Sequence, residues 1–265
     1  MFKPCSISRP MDHFILFGDS ITQQSFAQDN GFAFGAELSN AYVRRLDVVN
    51  RGYSGYNTEQ ALKILPKIIP TPTHTKIRLL TLFFGANDAR LPDTPGGPQQ
   101  NVPLEAYRTN LKSILTHPTL RAHHNVRLMV ITAPPVDERM LSAAASAFFD
   151  TKMAPNRTAI NTAKYVEAAR EVAKEEGVVC CDLWGAMTSR AGWRTGREGP
   201  LPGSLDGAEN EVLQGLLSDG LHFTPSGYKV LYDEVMNTIE QNWPDQMPDR
   251  LPFVLPSWDD EQAWK

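Results

Sequence analysis

The chain has 265 residues, of which 42% are hydrophobic, with 18 glycines and 20 prolines. A chain of that length and balance can bury a core without disulfide or metal staples, and it is not extensively disordered. With 26 Lys and Arg against 30 Asp and Glu, the net charge of −4 supplies no basic face for nucleic acid or an anionic membrane surface.

The elements follow in chain order. Five short apolar runs, at residues 14–17, 46–50, 77–84, 126–132 and 178–182, read as buried strands, because they are rich in Val, Ile, Leu and Phe and lack polar alternation. Helical patterns at 31–43, 58–69, 104–115, 159–176 and 225–242 separate or follow them. Asn57 with Gln60 three residues on suggests a capping box, and Thr224 before Pro225 a capped start to the last helix. This alternation predicts a doubly wound, parallel α/β sheet.

Three stretches break the rhythm. Residues 90–103 and 185–220 are long Gly-rich or Pro-rich loops, the second with an amphipathic segment at 209–217. Residues 1–242 read as one domain. The tail, 243–265, contains Pro244, Pro248, Pro252 and Pro256, so it is expected to run extended. Its Leu251, Phe253, Val254, Leu255 and Trp258 are expected to pack along the flank of the domain or, in a sharper reading, near the mouth of the crevice holding Ser20, on the same chain or on a partner subunit of a homodimer.

The three cysteines, Cys5, Cys180 and Cys181, form neither a disulfide framework nor a zinc spacing, and the adjacent pair reads as buried thiols on a strand. No apolar run reaches the ~18 residues of a membrane span, and residues 14–17 are too short for a signal-peptide core. The expectation is a soluble, cytoplasmic protein.

Four motifs carry chemistry. The first strand ends in Gly18-Asp19-Ser20, where α/β folds present a nucleophile, although the triplet also reads as a simple capped turn. The loop after the second strand, from Asn50 to Asn57, contains Gly52 and Gly55; the Gly55 N–H could face a ligand, or the loop could be a plain βα turn. The third strand ends in Gly85-Ala86-Asn87-Asp88. In strand order 2-1-3-4-5 Asn87 faces Ser20 across the switch point, and its amide can donate to an oxyanion. Before the last helix stands Asp219-Gly220-Leu221-His222. A carboxylate three residues before a histidine can reach Nδ1, leaving Nε2 to act as a base for a serine. His117, His123 and His124 lie near a helix end and a turn, and read as solvated or C-capping residues.

In combination these motifs resemble the GDSL, or SGNH, hydrolase family, whose four named residues correspond to Ser20, Gly55, Asn87 and His222. The segments 49–58, 83–89, 217–222 and 251–256 resemble the isoamyl acetate-hydrolysing esterases of fungi and plants. The likeness runs from about Phe14 to Trp258 and is weakest at 140–155 and 192–207, which read as lineage-specific loops. Gly31-Phe32-Ala33-Phe34-Gly35 departs from the family pattern, which leads one to expect a Trp there.

The resemblance implies a three-layer α/β/α, flavodoxin-like fold with a five-stranded parallel sheet. It implies a catalytic triad of Ser20, His222 and Asp219, and an oxyanion hole formed by the N–H groups of Ser20 and Gly55 and the amide of Asn87. Asp19 and Asp88, the other candidate acids, become loop-fixing residues. The implied reaction is hydrolysis of short acyl esters, acetates above all, of small to medium alcohols, with no metal or organic cofactor. Tyr53, Tyr56, Leu91, Leu221 and Phe223 could line an apolar pocket or belong to the core. Rival readings are a thioesterase or lysophospholipase, a deacetylase of sugar acetates, and a flavodoxin-like binding module that would leave the Asp-x-x-His without a task.

Overall fold

The computed structural model describes residues 11–94, 100–194 and 196–265. Cys5 and residues 95–99 of the Pro-rich and Gly-rich loop lie outside that range. The five expected strands form as β1 (His13–Gly18), β2 (Asp47–Gly52), β3 (Ile77–Phe83), β4 (Arg127–Ile131) and β5 (Val179–Cys181). They pair in parallel in the order β2-β1-β3-β4-β5. The sequence changes direction between β1 and β3, so the loops after β1, β2 and β3 open onto one crevice at the carboxyl edge.

The helices are α1 (Ser20–Gln23), α2 (Phe34–Ala41), α3 (Thr58–Ile68), α4 (Leu104–Leu115), α5 (Pro118–Arg121), α6 (Glu138–Phe149), α7 (Ala159–Glu175), α8 (Leu183–Arg190), α9 (Glu211–Leu216) and α10 (Pro225–Asn242). Alternate strand residues divide the core in two. Phe14, Leu16, Leu79, Met129 and Cys181 meet α2, α8, α9 and α10 on one face. Ile15, Phe17, Leu80, Leu82 and Val130 meet α3, α4 and α7 on the other. Burial on both faces is why these strands read as continuous apolar runs.

Two helices lie where loops were expected. α6 occupies most of 140–155. Asp137 caps it by accepting from Met140 N–H, and its three consecutive alanines favour helix, but only Glu138 and Leu141 are buried, so no apolar stripe marks it in the sequence. α8 starts where the fifth strand was expected to end, because Asp182 is its cap and accepts from Gly185 N–H. His123 also departs from expectation. It is buried, with Nδ1 accepting from Ile77 N–H at 3.1 Å and Nε2 2.8 Å from the Pro70 carbonyl. His117 is an N-cap rather than a C-cap, accepting from Thr119 N–H.

The tail corrects a further expectation. Two 3₁₀ turns, Pro244–Gln246 and Pro248–Arg250, each with proline first, replace an extended run. Leu251 is buried, but Phe253, Val254, Leu255 and Trp258 are exposed. Trp243, Met247 and Leu251 pack on the core beside α2 and α10, and polar contacts hold the residues beyond. Val254 N–H donates to the Arg44 carbonyl, Arg44 donates to the Leu255 and Pro256 carbonyls, and Arg45 to that of Leu251. The Phe253 ring lies 4.3 Å from both guanidinium groups. Arg44 and Arg45 precede β2, whereas Ser20 follows the far end of β1. Six residues of strand, about 20 Å, separate the two ends, so within one chain the tail does not reach the Ser20 crevice. Among the described residues, no helix is long and apolar enough to cross a membrane.

The two-sided core predicts that Leu38→Ala on α2 and Leu111→Ala on α4, both fully buried on opposite faces, each cost about 2–5 kcal/mol. Urea unfolding of the double variant should give the sum within about 0.5 kcal/mol, since the sites share no neighbours.

Candidate active site

At the end of β1 the chain turns sharply into α1. Asp19 caps that helix, its Oδ1 accepting from Ile21 N–H at 2.9 Å, and Ser20 is its first residue, 5% exposed. The loop after β2 lies alongside. Tyr53 N–H donates to the Gly18 carbonyl and Ser54 N–H to Gln23 Oε1, which bind this loop to α1. Gly55 follows at φ +81°, a region open mainly to glycine. The Tyr53 and Tyr56 rings stack at 5.3 Å. Asn57 and Gln60 then form the expected capping box of α3.

After β3, Asn87 Nδ2 donates to the Tyr56 carbonyl at 2.8 Å. Asp88 turns away from the crevice, and its Oδ1 accepts from both Thr58 N–H and Thr58 Oγ1–H. Asp19 and Asp88 therefore fix loops, and neither approaches the His222 Nδ1.

The last loop is folded onto itself. Leu217 and Phe223 form an isolated antiparallel bridge, and Asp219 Oδ1 accepts from the N–H groups of Leu221 and His222. Asp219 Oδ2 lies 2.7 Å from His222 Nδ1, and His222 Nε2 lies 2.8 Å from Ser20 Oγ. With Nδ1–H donating to the Asp219 carboxylate, Nε2 is an acceptor and takes the serine hydroxyl. An imidazole held in this way can remove the serine proton and return it to a leaving group.

The α6 segment anchors this loop. Asp137 N–H donates to the Gly220 carbonyl, and Gly220 has φ +92°. A Cβ there would stand 2.6 Å from the Asp137 carbonyl oxygen and 2.7 Å from the Leu141 nitrogen. Buried Glu138 accepts from Ala159 N–H and Leu205 N–H, tying the 200–207 loop to the start of α7.

Sequence reasoning missed Arg157. It is 4% exposed, and its Nε donates to the Ala86 carbonyl at 2.6 Å. Nη2 donates to Asn87 Oδ1 at 2.8 Å and to Gln100 Oε1 at 3.2 Å. It belongs to no motif, and its neighbours Asn156 and Thr158 give it the look of a surface residue.

Burial dominates the electrostatics. It pushes the Asp19 carboxyl up to about 6 and that of Asp88 up to about 7, against opposing hydrogen bonds from Ile21 and Thr58. It lowers Arg157 to about 10, helped by Arg90 and opposed by Asp19, Asp219 and Asp88, so the guanidinium stays charged at neutral pH. Burial also acts to raise Asp219, but the hydrogen bond and charge of His222 and the N–H groups of His222 and Leu221 outweigh it and hold the carboxyl at about 2. Leu221 and Phe223 lie in the core. Phe32, which occupies the expected Trp segment, lines a cavity of about 160 Å³ with Ala27, Phe223, Pro225 and Tyr228.

The chain matches the GDSL-like lipase/acylhydrolase family over residues 16–230. It is 35% identical over 244 residues to a GDSL esterase/lipase of Arabidopsis thaliana, covering 91% of this chain and 90% of that one. It is 32% identical over 255 residues to the isoamyl acetate-hydrolyzing esterase of Saccharomyces cerevisiae, covering 94% of each. A lipase/acylhydrolase from Enterococcus faecalis has the same fold, with a TM-score of 0.61 at 24% identity over 93% of this chain and 100% of that one. The chain belongs to the GDSL-like lipase/acylhydrolase family. It is a carboxylic-ester hydrolase.

Two outcomes are expected. Gly220→Ala should destabilise the protein by at least about 1–3 kcal/mol, because the new Cβ meets backbone atoms that cannot yield, and should lower activity further by displacing His222. Thermal melting and esterase assays on the same sample check both effects. The second concerns pH. Asp19 and Asp88 bind protons more tightly when folded than in the unfolded chain, where a carboxyl titrates near ~4. Their contribution to stability therefore falls as pH rises from about 4 to about 7. Asp219 acts in the opposite sense, its contribution being lost as pH falls towards about 2. Asp88→Asn keeps an oxygen for Thr58 and removes one titration, so urea unfolding at pH 5 and pH 7.5 should show a smaller loss in the variant than in the wild type.

Proposed function

We propose that this hydrolase cleaves short acyl esters, acetates above all, of small to medium alcohols through a Ser–His–Asp acyl-enzyme. The observation that carries this reading is the unbroken relay from Ser20 Oγ through the His222 ring to Asp219, at 2.8 Å and 2.7 Å. Ser20 attacks the ester carbonyl as its proton passes to Nε2. Asp219 fixes the tautomer and stabilises the imidazolium. The oxyanion accepts from the N–H groups of Ser20 and Gly55 and from the Asn87 amide, each donor contributing about 3 kcal/mol in the transition state. The imidazolium protonates the departing alkoxide. A water molecule, activated by the same base, then releases the acid. The acetate preference is supported by the name of the yeast relative, which matches along nearly the whole of both chains.

A panel of acetates, longer acyl esters, thioesters and acetylated sugars, ranked by kcat/KM, tests the substrate class. A preference for thioesters or sugar acetates would overturn it. Ser20→Ala should fold normally and hydrolyse esters near background. Asn87→Ala should lower kcat by roughly 10²–10³ with little change in KM, because its bond is made mainly in the transition state.

A further inference from the structure

The hydrogen-bond geometry points to Arg157 as the positioning residue of the oxyanion hole: its guanidinium sets the direction of the Asn87 amide and, through Gln100, braces the backbone at Gly55. The inference rests on the oxyanion reading given above. A primary amide presents a donor on one side and an acceptor on the other, and a half-turn exchanges them. Asn87 must offer N–H, since an oxygen aimed at a developing oxyanion would repel it. Arginine can only donate, so the contact from Nη2 fixes the Arg157 side of Asn87 as Oδ1. The Tyr56 carbonyl can only accept, so the other side is Nδ2. One Nδ2 hydrogen is engaged by Tyr56, and the second is left for the oxyanion.

The same logic applies to Gln100. Its Oε1 faces Arg157 Nη2, and its Nε2 donates to the Gly55 carbonyl at 2.9 Å. Arg157 thus polarises two amides, one carrying a proposed oxyanion donor and the other restraining the residue that carries a second, and it shares Gln100 Oε1 with the longer, 3.4 Å bond from Arg90 Nη1. The Nε bond to the Ala86 carbonyl holds the residue before Asn87 in place. Charge-assisted bonds from a rigid planar fork suit this task, and a lysine, with one point of charge, cannot span the three acceptors.

The test is a double-mutant cycle read in kcat and KM, with urea unfolding to confirm that each variant is folded. Arg157→Met should lower kcat about 10–100-fold with KM changed less than about threefold. In an Asn87→Ala background the same substitution should lower kcat no more than Gln100→Ala does there, because only the path through Gln100 to Gly55 remains. Arg157→Lys should fall between wild type and Arg157→Met. Gln100→Ala should lower kcat several-fold in both the wild-type and the Asn87→Ala backgrounds, since it acts on Gly55. If Arg157→Met lowers kcat by the same factor with and without Asn87, Arg157 does not act through Asn87 and the inference is overturned. If Arg157→Met does not fold, Arg157→Lys is taken through the same cycle, with the same two outcomes. A failure of the oxyanion reading itself shows separately, as an Asn87→Ala variant with wild-type kcat.

Discussion

The site depends on holding a histidine from the last loop against a serine 202 residues earlier in the chain. No local structure brings those residues together. Ser20 opens α1 just past the end of β1, and His222 is brought to it by α10, which packs across the sheet against β5 and α2. The Tyr228 hydroxyl, one turn into α10, donates to the Ile21 carbonyl at 2.8 Å. That bond joins the start of the last helix to the residue after the serine. The bridge between Leu217 and Phe223 and the anchoring of Gly220 by Asp137 then fix the height of the imidazole. The histidine loop is therefore positioned from three sides: by α10 behind it, by α6 beside it and by its own aspartate.

Much of this was legible in the sequence, for identifiable reasons. Strands buried on both faces must be apolar throughout, and 14–17 and 77–84 announce themselves. Asn57 with Gln60, and Thr224 with Pro225, mark helix starts that formed at the expected residues. Asp219 and His222 were visible because a run of four residues holds both partners. The failures are equally physical. α6 buries only Glu138 and Leu141, in its first turn, so periodicity could not reveal it. His123 looked like a surface residue, but its ring is used to satisfy Ile77 N–H and lies against the Pro70 carbonyl inside the fold. Arg157 was invisible because its partners, Ala86, Asn87 and Gln100, are 57 to 71 residues distant in the chain. The tail misled because four prolines suggested extension, whereas two of them open 3₁₀ turns.

The carboxyl edge of the sheet carries nearly all of the buried charge described here, with Asp19, Asp88 and Arg157 within one cluster of loops. Burial raises both carboxyls, Asp19 adds to the rise at Asp88 by repulsion, and the attraction of Arg157 offsets only part of the cost. Such a cluster specifies loop geometry at some expense of stability, which suits an edge where four loops must meet at fixed distances.

The adjacent cysteines of β5 have a different use. Successive side chains on a strand point to opposite faces, and Cys181 belongs to the cluster under α10 while Cys180 packs on the side of α7. Burial raises both thiols, to about 11 and about 12 for Cys180 and Cys181, so neither is a thiolate in the native protein at neutral pH. Cys181 is fully buried and becomes alkylatable only when the layer covering it lifts, whereas Cys180 is half-buried. An edge strand with a buried thiol on one face and a half-buried one on the other is a built-in probe with its own reference: pulse alkylation followed by peptide mapping would read opening of the α10 layer at Cys181 against the reaction of Cys180, one residue away in the sequence.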